Sequence, residues 1–278
     1  MYKMSSVPSV PPWFVSTTAS SDVTEALARA ASRLGPFGTH LSWHEEVGST
    51  NDVAIAAAEA GVPEGFVVAA NAQSQGRGRV GRSWSSPPGA GLYVSVVLHP
   101  AGPALRLLTI AAGVAIAEGV HAASGLDTCV KWPNDVHVGS RKLAGILAEA
   151  GSSAGAVHYV VLGFGINIRH AVYPPEVAAR ATSIENELGR HVDRGLVLAE
   201  CLAALSNRYG MLQSGVADDV ITAWRKRAAQ HMGRTVEWDV DGGSRQGRAE
   251  DIDATGALLV RVEDQIVRVI SGEVRWLA

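Results

Sequence analysis

Cysteine is nearly absent: Cys129 and Cys201 are the only two in 278 residues, and they form no C-x-x-C pair. A disulfide framework and a dithiol redox motif are excluded, and buried free thiols in a reducing cytoplasm are expected. No histidines share metal-ligand spacing; His44, His137 and His170 stand alone and read as ordinary polar residues. A G-x-x-x-x-G-K-[ST] phosphate loop and a G-x-S-x-G nucleophile turn are both missing. The net charge is only -3, so no overall basic excess points to nucleic acid. No stretch reads as a membrane span, and the N-terminus lacks a continuous apolar segment, so a cytoplasmic protein without a membrane partner is expected. The first forty residues offer one short helix and no second at helix-turn-helix distance, so no added DNA-binding domain is expected.

What is present is a folding composition, 47% hydrophobic and 18% charged, with 30 glycines for turns. The length allows one large domain, or one medium and one small. Residues 1–39 read as an extended lead-in, Met1–Ser21, followed by a short helix, Asp22–Leu34. Residues 40–228 mix strands and helices. Strands are expected at His40–Val47, Phe66–Ala70, Leu92–Leu98, Thr128–Trp132, Asp135–Val138, Leu143–Glu149 and His158–Ile168. Helices are expected at Val53–Ala60, Leu105–Val120, Ser183–Leu188, Arg194–Arg208 and Val216–Arg227, the second apolar nearly all round and so buried. Arg169–Arg180 reads as a loop. Residues 229–278 change character: short strands at Thr235–Asp239, Ser244–Asp251, Ala257–Val262 and Gln265–Ile270 alternate with glycine turns such as Asp241-Gly242-Gly243. This is expected to be a small barrel-like module, too thin to stand alone and packed on the larger domain.

The chemistry concentrates in a few stretches. Gly76–Arg82 alternates three glycines with three arginines between two strands. Glycine lets a backbone approach a ligand closely, and arginine offers a planar fork of donors to carboxylate and phosphate. The run is too short and too enclosed for a disordered RNA-binding tail. Its loose G-x-G-x-x-G spacing lacks the tight turn into a helix that a dinucleotide fold requires. Ser49, Thr50 and Asn51 precede a helix, and either Thr50 or Asn51 can cap it; the polar groups left over can read a ligand head group. Trp84 either anchors the edge of the core or stacks on a flat group. Lys131, Asn134, Asp135 and Lys142 cluster around turns, with Lys142 either snorkelling or facing a ligand. Gly145 leaves a strand position without a side chain, and Gly163, Gly165 and Asn167 share one strand face, which gives either a bulge or a slot. Together with Gln73, the set is cationic with neutral hydrogen bonders and one carboxylate. It suits a carboxylate substrate beside a polyphosphate, with Asp135 as the candidate magnesium residue.

The chain resembles the biotin–protein ligases, in the branch without a DNA-binding domain. The resemblance rests on Gly48-Ser49-Thr50-Asn51, on Gln73 with Gly76–Trp84, on Lys131-Trp132-Pro133-Asn134-Asp135, on Arg141–Leu147 and on Gly163-Phe164-Gly165-Ile166-Asn167, in that family's order and spacing. It implies an α+β fold: a mixed sheet packed with helices, of the class II aminoacyl-tRNA synthetase-like, biotin–lipoate ligase type, then a small SH3-like β-barrel. It also implies that ATP with Mg2+ converts biotin to biotinyl-5'-AMP, and that a lysine of a biotin carboxyl carrier domain then receives the biotinyl group. By the same resemblance Ser49, Thr50, Asn51, Gln73 and the backbone at Gly76 and Arg77 meet the biotin head group. Arg79 guards the acyl phosphate, with Arg82 in the same loop. Lys142 contacts the carboxylate and α-phosphate. Lys131, Asn134 and Asp135 serve ATP and magnesium. Trp84 and Asn167 lie near the nucleotide, and Gly145, Gly163 and Gly165 line the biotin tail. A homodimer through edge strands is compatible with this reading. The rival readings are a lipoate– or octanoate–protein ligase of the same fold, a noncatalytic biotin- or nucleotide-binding protein, and a DNA-binding regulator.

Overall fold

The computed structural model describes residues 19–277 except 154, 172, 241, 242 and 271. Most of the expected lead-in, and Asp241-Gly242 of the expected turn, lie outside the described residues. In chain order the elements of the larger unit are α1 (Ser21–Ala30), β1 (Leu41–His44), α2 (Thr50–Glu59), β2 (Val67–Ala70), β3 (Gly91–Leu98), α3 (Pro103–Ser124), β4 (Cys129–Lys131), β5 (Asp135–Val138), β6 (Arg141–Ser153), β7 (Ala156–Asn167), α4 (Pro175–Ala178), α5 (Ile184–Leu188), α6 (Arg194–Gln213) and α7 (Ala217–Ala228). The C-terminal unit adds β8 (Thr235–Val240), β9 (Gly243–Ile252), β10 (Leu258–Val262), β11 (Gln265–Val269) and β12 (Val274–Trp276).

The first seven strands form one mixed sheet in the order β1-β2-β3-β7-β6-β5-β4, with β1 parallel to β2 across the α2 crossover and the other pairs antiparallel. One face packs on α1, α3, α6 and α7. Their side chains, among them Val23, Ile116, Leu202 and Trp224, make one continuous core with Phe37 and the inward residues of the sheet. Helix α3 is buried nearly all round, begins at Pro103 and stops at Gly125, whose left-handed conformation lets its N–H reach His121 O at 2.7 Å. Its Ala104–Ser124 stretch is, contrary to expectation, long and apolar enough to cross a membrane, but it is mostly buried as the central core helix. The other sheet face carries the short α2, through a small cluster of Ala54, Val68, Val97 and Val161. Beside α2 that face is lined by the 77–85 segment, by Tyr173, Val177 and Arg180, and by Glu273 and Trp276, and the candidate site lies between them.

Two strands are longer than their sequence pattern implies. The strand expected at Leu143–Glu149 runs from Arg141 to Ser153 as β6, and β7 begins at Ala156 rather than His158. Cross-strand hydrogen bonding extends the pair past the point where apolar alternation ends. The expected loop at 169–180 contains α4.

The expected barrel does not form. The C-terminal strands make an open sheet, β11-β10-β9-β8-β12, whose outer strands β11 and β12 do not pair with each other. The last strand has only three residues and lies on β8. Closure would serve to bury the inner face and remove edges, but the larger unit already covers that face. Val236, Trp238, Ala249, Ile252, Leu258 and Val260 belong to the same core as α3 and α7. The Trp132 indole donates to Gly256 O at 2.9 Å, the Trp276 indole to Trp132 O at 3.3 Å, and Arg225 reaches Asp251 at 2.8 Å.

Candidate active site

Strand register builds the floor. Lys131, Asp135, Gly145, Gly165 and Tyr93 are successive partners across β4, β5, β6, β7 and β3. Leu147, Gly163 and Ser95 form the next row. The first row therefore runs from a cation and a carboxylate onto two positions with no side chain. A cleft of about 540 Å³ lies over it. Ser49, Thr50, Asn51, Gln73, Arg77, Arg79, Arg82, Trp84, Lys131, Asn134, Asp135, Lys142, Gly145, Gly163, Gly165 and Asn167 all line it. Gly76 stands behind the wall, where a Cβ would lie 2.3 Å from Trp84 O.

At one end the polar residues bond to each other. Ser49 is the N-cap of α2 by conformation but its side chain makes no capping bond, so neither Thr50 nor Asn51 is the cap. Both are in the first turn, and Gln73 from another segment supplies the missing acceptor: its Oε1 takes the Thr50 N–H at 2.8 Å and the Thr50 hydroxyl at 3.1 Å. Gln73 Nε2 donates to Ser86 at 2.9 Å. Ser95, on the floor, donates to Asn51 Oδ1 at 2.6 Å, and Asn51 Nδ2 donates to Glu149 at 2.6 Å.

The arginine segment is a closed turn: Trp84 N–H donates to Gly76 O at 2.8 Å and Gly78 N–H to Arg82 O at 2.6 Å. Its tip places Val80 at φ 55° and Gly81 at φ 71°; for a β-branched residue that is a strained conformation. The three arginines differ in their partners. Arg77 is shared by Asp52 and Glu149, each at 2.8 Å, and Arg82 pairs with Glu273. Arg79 has no ion-pair partner among the described residues; it makes only long contacts, to Asn134 Oδ1 at 3.4 Å and Gly272 O at 3.5 Å. Burial lowers its pKa against the pull of Asp135 and Glu273. It is the arginine best placed to gain an anion.

At the other end Lys142 Nζ sits 2.6 Å from Asp135 Oδ1 and 5.2 Å from the centre of the Trp84 ring. Burial works to raise the Asp135 pKa, but His137 and Lys142 outweigh it and the carboxyl stays below its usual range. Burial lowers the Lys131 pKa, with Asp135 opposing. The Trp84 indole lies on the glycine floor: a Cβ at residue 165 would be 2.4 Å from its Nε1, and one at residue 145 would be 3.0 Å from Cζ3. Its Nε1 is buried without a hydrogen-bond partner among the described residues. Asn134 and Asn167 are held by backbone: Asn134 Nδ2 donates to Ile146 O at 2.7 Å and Asn167 Nδ2 to Thr182 O at 3.0 Å.

Residues 45–167 match the Biotin/lipoate A/B protein ligase family, and residues 231–275 match the Biotin protein ligase C terminal domain. The biotin--[acetyl-CoA-carboxylase] ligase of Mycobacterium tuberculosis is 35% identical over 251 residues, 86% of this chain and 91% of that protein. The chain belongs to the biotin–protein ligase family. The bifunctional ligase/repressor BirA of Bacillus spizizenii is 31% identical over 91% of this chain and 78% of its own. Among solved structures, the biotin protein ligase from Aquifex aeolicus in complex with biotin and ATP superposes with a TM-score of 0.72 at 27% identity, covering 86% of this chain and 99% of that one. The mixed sheet and its helices are thus the biotin–protein ligase fold, with the C-terminal sheet open.

Several residues of this ligase's cleft were not anticipated. Glu149 joins Asn51 to Arg77, and it lies on the same strand face as Gly145, so alternation along β6 carried that signal. His137, an ordinary polar residue by its sequence setting, lines the cleft, as do Tyr173, Arg180, Glu273 and Trp276. The last two come from the C-terminal unit, and no local pattern announces them. Among the described residues no group of three His, Cys, Asp or Glu side chains could hold a metal ion by itself. A lone carboxylate such as Asp135 fits magnesium that arrives with a polyphosphate, because that ion keeps water and phosphate oxygens among its ligands.

Proposed function

We propose that this chain activates biotin with ATP and transfers it to a lysine of a biotin carboxyl carrier domain. In the first step a biotin carboxylate oxygen attacks the α-phosphorus, forming the mixed anhydride biotinyl-5'-AMP and releasing pyrophosphate. In the second, the neutral lysine amine attacks the acyl carbon, the bond to the AMP oxygen breaks, and the amine loses a proton as the amide forms.

The observation that carries this reading is the row Lys131–Asp135–Gly145–Gly165, with Lys142 beside Asp135. The two glycines make room for the Trp84 indole, and a flat apolar chain can pack along that ring with its carboxylate toward Lys142. The polyphosphate then extends toward Lys131, and the polar network at Thr50, Gln73 and Asn51 meets the head group. Lys142 and Arg79 offset the negative charge gathering on the α-phosphate, in a cleft that limits water. Asp135 would hold magnesium, which would neutralise the polyphosphate. The match of residues 231–275 to a biotin ligase module favours biotin over lipoate.

The test is transfer. Purified protein, ATP, magnesium and biotin are incubated with a carrier domain, and intact mass is measured. One added biotinyl group on the carrier, absent when its acceptor lysine is arginine, is expected. An unmodified carrier, with lipoylation when lipoate replaces biotin, would overturn the choice of acid.

A further inference from the structure

Asp135 is a mostly buried carboxylate with one close cation, the Lys142 ammonium on Oδ1 at 2.6 Å. The reaction proposed above asks Lys142 to turn to the substrate carboxylate and the α-phosphate. A buried carboxylate left without its counter-charge is strongly unfavourable; magnesium would restore charge at one oxygen, and the other still needs a donor that fixes the carboxylate as Lys142 leaves.

His137 is built into that position. Asp135 and His137 are two residues apart on β5 and share a face. Register sets His137 opposite Lys142 on β6 and opposite Cys129 on β4. Its Nε2 lies 3.8 Å from Asp135 Oδ2, the oxygen that Lys142 does not hold. That is beyond hydrogen-bond length, and a shift of roughly 0.6–1 Å closes it. Neither ring nitrogen of His137 has a hydrogen-bond partner among the described residues, although the side chain is only 6% exposed. A buried imidazole with two idle nitrogens is unfavourable in the resting site, and a second arrangement of the site recovers the loss. The His231 ring packs edge-on against it at 5.8 Å, and His231 in turn meets Trp276 at 5.5 Å, so the imidazole is supported by aromatic packing.

We propose that His137 is a positioning residue: it donates its Nε2–H to Asp135 Oδ2 as Lys142 moves to the substrate, keeping the carboxylate in place through adenylate formation. No proton changes owner, since the neutral tautomer suffices. The inference rests on the ligase reading of the same cleft.

The test compares His137→Phe, which keeps a ring and removes both donors, with His137→Gln, which keeps an N–H. Because the His137 ring makes no hydrogen bond among the described residues in the resting site, the thermal midpoint of the ligand-free Phe variant is expected not to fall. Its kcat for biotin-dependent pyrophosphate exchange is expected to drop ~10-fold or more, with the KM for biotin unchanged and the Gln variant retaining most of the rate. The rise in thermal midpoint on adding biotin and ATP without magnesium is expected to shrink in the Phe variant. In an Asp135→Asn background the Phe substitution is expected to add nothing. A Phe variant with wild-type kcat and wild-type ligand-induced shift overturns the inference, as does a fall in its resting midpoint, or a loss that persists in the Asp135→Asn background. If the wild type exchanges with no acid at all, the ligase reading fails and this inference with it; exchange by the wild type separates the two.

Discussion

The Asn51 amide occupies the space that a side chain at residue 163 would need: a Cβ there would lie 2.1 Å from Asn51 Oδ1. Asn51 is buried and held by Ser95 and Glu149, so it cannot move aside without breaking those bonds. Gly163→Ala is therefore expected to destabilise the fold by about 1–3 kcal/mol, from overpacking and lost buried hydrogen bonds. Urea unfolding followed by circular dichroism checks this, and an unchanged midpoint would mean that the network yields freely.

Lys142→Ala removes both the cation at the reacting centre and the partner of Asp135. Adenylation is expected to fall ~10²–10³-fold, as for the loss of a stabilising donor. Stability should fall by about 1–2 kcal/mol, less than for a fully buried pair because the lysine is partly exposed. Adding Asp135→Asn should restore the stability and leave adenylation low. Single-turnover adenylate formation with parallel unfolding curves separates the two effects.

Arg79 is the loop arginine without a carboxylate partner among the described residues, while Arg77 and Arg82 are engaged. Arg79→Gly is expected to form adenylate and release it. Trapping free intermediate with hydroxylamine should give more product than wild type, and equal trapping would deny Arg79 a guarding role.

His231 is buried at the junction of the two sheets, and burial, with the charges of His137, Lys131 and Arg234, pushes its pKa down to about 4 from the model-peptide 6.5. The unfolded chain thus takes up the proton first. The stabilisation is complete above about pH 6.5, is lost as the pH falls toward 4, and changes no further below that. The loss attributable to His231 is about 3 kcal/mol. His231→Phe should flatten the fall in stability between pH 6.5 and 4 without abolishing it, because burial also lowers the pKa of His44. Denaturant midpoints across that range measure the difference in slope.

What the sequence reveals here depends on how local the cause is. The arginine turn, the Lys131–Asp135 turn and the Gly163–Gly165 pair are contiguous, and residue type alone marks them as unusual. The row Lys131–Asp135–Gly145–Gly165 is not contiguous: it exists only through the register of four strands, which composition does not encode. The partners of the arginines were illegible for a similar reason, since Asp52, Glu149 and Glu273 come from three separate elements. The cap of α2 was misassigned because its N–H is satisfied by Gln73, over twenty residues away. The C-terminal strands were visible as alternating segments, but whether a sheet closes depends on what covers its inner face. Trp132 and the α3–α7 surface cover it here.

If this cleft joins biotin to the α-phosphate of ATP, the reaction is read by isotope exchange between ATP and pyrophosphate, run with biotin, lipoate or octanoate. Exchange is expected to depend on biotin alone and to fall at least ~10²-fold in Lys142→Ala. Exchange supported by lipoate or octanoate instead would contradict the choice of acid, and tight biotin binding with no exchange would contradict the chemistry.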